Sequence, residues 1–97
     1  MKSIQEIKEI LEKHKEELEG KYKVKEIGIF GSYVRGEQKG KSDLDILVEF
    51  EEPVSLLDLV RAENYLSELL DIKVDLVHKR DIRPELKERI LKEAVYL

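Results

Sequence analysis

Asp43 and Asp45 stand in a run, Asp43-Leu44-Asp45-Ile46-Leu47-Val48, that alternates as a β-strand alternates. Leu44, Ile46 and Val48 form one face, and both aspartates fall on the other. Aspartate is depleted in strands. At roughly 3.3 Å per residue the two carboxylates project from one side about 7 Å apart. Two like charges so placed ask for a cation between them. Such a strand needs a sheet with one apolar face covered by helices and the other left open. Ile27-Gly28-Ile29-Phe30 reads as a short buried strand before it. Gly31 follows at once, where the backbone can turn sharply and a ligand can come close. Ser32 takes the favoured N-cap place of a helix starting there, and free N–H groups at such a point suit a phosphate. A phosphate cradle followed by a paired-carboxylate strand is a plan for metal-assisted phosphoryl chemistry on a nucleotide.

A Walker P-loop is a near match and fails. Gly31 and Gly36 have the spacing of its two glycines, but Glu37 and Gln38 follow where Lys and Ser or Thr are required. Gly40-Lys41-Ser42 has the right ending, yet Arg35 stands where the first glycine belongs. The turn Gly31-Ser32-Tyr33-Val34-Arg35-Gly36 and the strand Ser42-Asp43-Leu44-Asp45 instead resemble the signature of the DNA polymerase beta-like nucleotidyltransferase superfamily. That signature is Gly-Ser, a spacer, then Asp-any-Asp on a strand. The chain looks most like the minimal nucleotidyltransferase antitoxins of prokaryotes, small domains with a Gly-Ser-any-Ala-Arg-Gly turn. Val34 replaces the usual alanine, a change that touches helix packing more than the site.

Ninety-seven residues bound one domain, 1–97, with no room for a separate acceptor-binding domain. Charged residues make up 41% of the chain, and no apolar run approaches a membrane span. Without cysteine there are no disulfides or thiolate zinc sites, so the cytoplasm is the expected location. A net charge of −4 argues against a broad nucleic-acid surface, and no DNA partner is expected. The Lys- and Glu-rich composition, with one Asn, two Gln and one Met, suits a thermophile.

Along the chain, Ser3 and Glu6 form a capping box for a helix over 4–19, with Gly20 as its stop. His14 sits at the boundary of its apolar face. A strand over 24–30, a short helix over 32–36 and a polar loop over 37–41 follow, then a strand over 43–50 ended by Pro53. Glu49, Glu51 and Glu52 read as a solvated rim. Ser55 and Asp58 cap an amphipathic helix reaching Leu70, on which Arg61 and Asn64 read as solvated. Residues 73–77 form the third strand, carrying Asp75, whose bland reading is an exposed edge residue. Asp71 and Asp81 fall at element ends, where aspartate is ordinary, and His78 reads as a surface residue. Pro84 begins the last helix. Residues 95–97 either continue it or form a short end strand.

The expected fold is α/β, helix-strand-helix-strand-helix-strand-helix, a small mixed sheet flanked by helices, with carboxylates on the uncovered face. The short first connection favours an antiparallel pair. The resemblance implies nucleotidyl transfer from ATP to a hydroxyl. Gly31 and Ser32 would hold the terminal phosphates, and Ser42 lies in the same motif. Asp43 and Asp45 would bridge two Mg²⁺ ions, with Asp75 as third ligand and acceptor of the hydroxyl proton. Arg35 either neutralises phosphate charge or ties the turn helix to the sheet by a salt bridge. For the antitoxin family the acceptor is a tyrosine on a partner ribonuclease toxin of HEPN type, which receives AMP. The alternatives are an antitoxin that masks its toxin by binding alone, and transfer to a small molecule or RNA.

Overall fold

The computed structural model describes residues 2–39, 43–51 and 53–97. Helices α1 (Ile4–Lys13) and α2 (Lys15–Lys21) lead into strand β1 (Val24–Phe30) and the one-turn helix α3 (Ser32–Arg35). Strand β2 (Leu44–Phe50), helix α4 (Leu56–Leu70) and strand β3 (Val74–His78) follow. A 3₁₀ turn (Lys79–Asp81), helix α5 (Pro84–Glu93) and strand β4 (Val95–Tyr96) complete the order.

The capping box forms as its sequence requires: the Glu6 N–H donates to Ser3 Oγ at 3.2 Å. The first helix is nevertheless two helices. The His14 imidazole Nδ1–H donates to the Ile10 carbonyl at 2.9 Å, taking the acceptor that His14's own amide would use in a continuous helix. That amide turns instead to Leu11 O at 3.2 Å. A side chain entering the i→i−4 ladder breaks the helix there. Gly20 does not stop the second piece, which runs on to Lys21. Tyr22 then stacks on Tyr65 of α4, ring centroids 4.6 Å apart, and the left-handed residue is Lys23.

The four strands lie in the order β3-β2-β1-β4. β1 and β2 pair antiparallel, as their short connection suggests. β2 and β3 are parallel, joined through α4. Val95 and Tyr96 form the short end strand, antiparallel to Ile29 and Gly28. Leu44, Ile46, Val48 and Phe50 of β2 join Ile27, Ile29, Val74 and Leu76 in one core with Ile7, Leu11, Leu18, Ala62, Leu66 and Leu70 of the helices. At roughly 1.5–3 kcal/mol for each fully buried large aliphatic side chain, this layer supplies the main stabilisation of the sheet. α1, α2 and α4 thus cover one face. Asp45 and Asp75 belong to the other.

β3 is an edge strand with two of its outward amides occupied. Val74 N–H donates to Ser67 Oγ at 3.0 Å, and Leu76 N–H to Glu63 Oε2 at 2.9 Å, both acceptors on α4. These contacts fix β3, and with it Asp75. No helix among the described residues is long and apolar enough to cross a membrane.

Candidate active site

Gly31 adopts φ 83°, ψ −151°, a conformation essentially restricted to glycine. It, and not Ser32, occupies the N-cap; Ser32 is the first residue of α3. The reason lies in the sharp exit from β1, which only a residue without Cβ can make. Gly31 O accepts the amides of Val34 and Arg35 at 3.1 and 3.2 Å, closing the turn. Gly36, at φ 72°, ends α3 in the left-handed region. A side chain at Gly31 would also overlap the Asp45 carboxylate oxygen and stand 3.0 Å from its Cγ. The turn therefore lies directly against the aspartate strand.

The Gly31 amide is not left free for a phosphate. It donates to Glu93 Oε2 of α5 at 3.0 Å. The other oxygen of that carboxylate accepts from Arg35 Nη1 at 2.8 Å. Arg35 also pairs with Glu37. Arg35 thus makes a salt bridge, with α5 rather than the sheet as its anchor. Burial alone would raise the Glu93 carboxyl, but the Arg35 guanidinium and the Gly31 amide hold it below the usual carboxylate range. Glu93 carries no signal in the sequence: it is one glutamate among many on a charged helix, and its contact spans 62 positions.

Asp45 pairs in register with Asp75 on the neighbouring parallel strand and with Phe30 on β1. Asp43 is exposed and stands immediately before β2. Burial first, then the charges of Asp75 and Asp43, push the Asp45 carboxyl up to about 6. That excess of negative charge, all on hard oxygen donors, fits Mg²⁺. Among the described residues no three acidic or imidazole side chains enclose an ion by themselves. Substrate phosphate oxygens and water would complete the shell, the usual arrangement for this cation. Asp43, Asp45 and Asp75 are the residues that would hold it. Ser42 lies outside the described residues.

The other acidic and imidazole candidates have structural places. Asp71 is the left-handed C-cap of α4. Asp81 lies in the 3₁₀ turn beside Arg80. Glu49 pairs with Lys79 at 3.7 Å, consistent with a rim role; Glu52 lies outside the described residues. His78 is half-buried rather than at the surface: its ring lies 5.3 Å from Phe50 and its Nδ1 accepts the Arg80 amide.

The model of the nucleotidyltransferase domain matches residues 11–97. The chain is 50% identical to the protein adenylyltransferase MntA of Thermococcus cleftensis, over 100% of this chain and 98% of that one. A solved structure described as a candidate minimal nucleotidyltransferase superposes with TM-score 0.76 at 36% identity, covering 94% of this chain and 95% of that one. A toxin–antitoxin structure with AMP-PNP superposes with TM-score 0.71 at 28% identity, covering 88% and 70%.

Proposed function

Because the chain belongs to the nucleotidyltransferase domain family, we propose that it transfers AMP from ATP to a tyrosine hydroxyl of a partner HEPN-type ribonuclease toxin, acting as its antitoxin. The observation that carries the reading is the pairing of Asp45 with Asp75 on adjacent strands, directly behind the Gly31 turn. The protein adenylyltransferase name of the 50% identical relative and the AMP-PNP in the toxin–antitoxin structure support the nucleotide and the protein acceptor. The reading treats residues 1–97 as one domain working in the cytoplasm, with no DNA partner.

In this mechanism the first amides of α3, at Ser32 and Tyr33, meet the terminal phosphates, since helix geometry leaves them without intrahelical partners. Ser42, which precedes Asp43 in the sequence, is assigned to nucleotide binding on the family motif alone. Asp43, Asp45 and Asp75 would hold two Mg²⁺ ions, which supply neutralisation of the triphosphate and a lowered pKa for the acceptor hydroxyl. The acceptor oxygen attacks the α-phosphorus from the side opposite the leaving group. The new O–P bond forms, the bond from the α-phosphorus to the bridging oxygen breaks, and pyrophosphate departs with that electron pair. The hydroxyl proton passes to the Asp75 carboxylate. Arg35, held by two glutamates, shapes the turn.

Asp43→Asn and Asp45→Asn keep volume and remove charge. Either change is expected to cut transfer a hundredfold or more, on the order of 3 kcal/mol of lost electrostatic stabilisation. Mass spectrometry of the toxin after incubation with ATP and Mg²⁺ reads the added AMP, with a pull-down for association. Variants that bind the toxin but neither modify nor neutralise it support catalysis. Variants that neutralise as well as the parent would mean masking by contact alone, and the enzymatic reading would fall.

A further inference from the structure

We propose that Glu93 is a positioning residue of the transfer site: it straps the Gly31 turn and Arg35 to α5, and through Gly31 it fixes the carboxylate of Asp45. The kinetic consequence rests on the nucleotidyl-transfer reading; the strap itself does not.

The two oxygens of Glu93 are divided between two partners. One accepts the Gly31 amide at 3.0 Å, the other accepts from Arg35 Nη1 at 2.8 Å. The side chain is only 16% exposed, so these bonds replace most of its hydration. A part-buried carboxylate satisfied by one backbone amide and one guanidinium is a specific contact, since losing either partner leaves charge less well matched. Gly31 has its carbonyl committed as well, to the amides of Val34 and Arg35. Both of its polar groups are therefore engaged, and its Cα cannot move without breaking one of them. That Cα packs against the Asp45 carboxylate so closely that a methyl group would overlap it. The room in which Asp45 can rotate on this side is bounded by a residue that Glu93 holds. Arg35 serves the same clasp from the far end of α3.

The consequence falls on turnover more than on nucleotide affinity. A bound triphosphate would itself hold the backbone of the turn. The alignment of Asp45 with the reacting phosphorus has no such second support, and a misplacement near 1 Å can cost up to about a hundredfold in rate. Glutamine at position 93 keeps an oxygen for the Gly31 amide and loses the charge for Arg35. Alanine loses both.

The test compares the parent with Glu93→Gln and Glu93→Ala by amide hydrogen exchange without nucleotide, and by steady-state AMP transfer with ATP and Mg²⁺. The Gly31 amide is expected to exchange at least roughly tenfold faster in Glu93→Ala and near the parent rate in Glu93→Gln. The kcat is expected to fall roughly tenfold or more in Glu93→Ala, with KM for ATP within about threefold of the parent and most of the loss recovered by Gln. Unchanged Gly31 exchange in Glu93→Ala overturns the strap. Parent-like kcat, or a loss confined to KM, overturns the positioning role. If Glu93→Ala does not fold, Glu93→Asp withdraws the carboxylate by one methylene, and parent-like exchange at Gly31 in that variant is equally fatal. A parent protein that transfers no AMP refutes the transfer reading and with it the positioning role, while the exchange comparison still decides the strap.

Discussion

Asp45 is the residue on which the site's electrostatics converge. Its carboxyl stands at about 6 because burial and its acidic neighbours penalise the charged form. In the unfolded chain it would titrate near the ordinary aspartate value, about 3.9. The folded state thus holds this proton more tightly, and stability falls as pH rises through the window from about 4 to about 6. Asp45→Asn removes that fall. The variant is expected to match the parent near pH 4 and exceed it near pH 8 by on the order of 1 kcal/mol, less than the full conversion because the group is only partly buried. Urea unfolding at the two pH values measures it; a variant less stable at pH 8 would show that burial and charge were wrongly assigned. The same logic explains what the sequence made visible. An aspartate inside an apolar alternation is conspicuous because it violates strand preference. Glu93 violates nothing, so no local pattern reveals it. Ser32 misled as a cap because serine is usually the best available cap, and here the backbone conformation admits only the preceding glycine.

At the scale of elements, β3 shows how a helix can hold an edge strand, and with it a candidate site residue, from its open side. Ser67 and Glu63 accept two amides that an edge strand would otherwise present to water. The double change Glu63→Ala, Ser67→Ala is expected to speed exchange of the Val74 and Leu76 amides and to cost about 1–3 kcal/mol. If neither amide responds, α4 does not secure Asp75 as described. β1, β2 and α4 were legible because each pairs a long apolar period with a clear stop. The interruption at His14 was not, since the periodicity runs through it and an imidazole–carbonyl bond decides the matter. β4 was undecidable because two residues carry no period at all; its pairing with Gly28 and Ile29 comes from the sheet.

For the whole molecule, a net charge of −4 sits beside a candidate site that the proposed transfer would require to accept a polyanion. Asp43, Asp45 and Asp75 would repel a triphosphate unless cations come with it. ATP is therefore expected to bind at least tenfold more tightly with Mg²⁺ than in EDTA, on the order of the 1.4 kcal/mol or more that one neutralised contact contributes. Calorimetric titration decides it, and equal affinity in the two buffers would refute the cation site.

The bond from Glu93 to Gly31 reaches back 62 positions along the chain. Joining Phe30 to Asp45 closes a far shorter loop. Loop closure grows costlier only slowly with length, about 0.6 kcal/mol per doubling, but contacts distant in sequence tend to form late. The β1–β2 pair and the helices over it can assemble before α5 arrives. Latching of the turn by α5, like the pairing of β4 with Gly28 and Ile29 that follows it, is then expected among the last contacts to form, so a chain with β1, β2, β3 and their core already assembled would still lack a set candidate site.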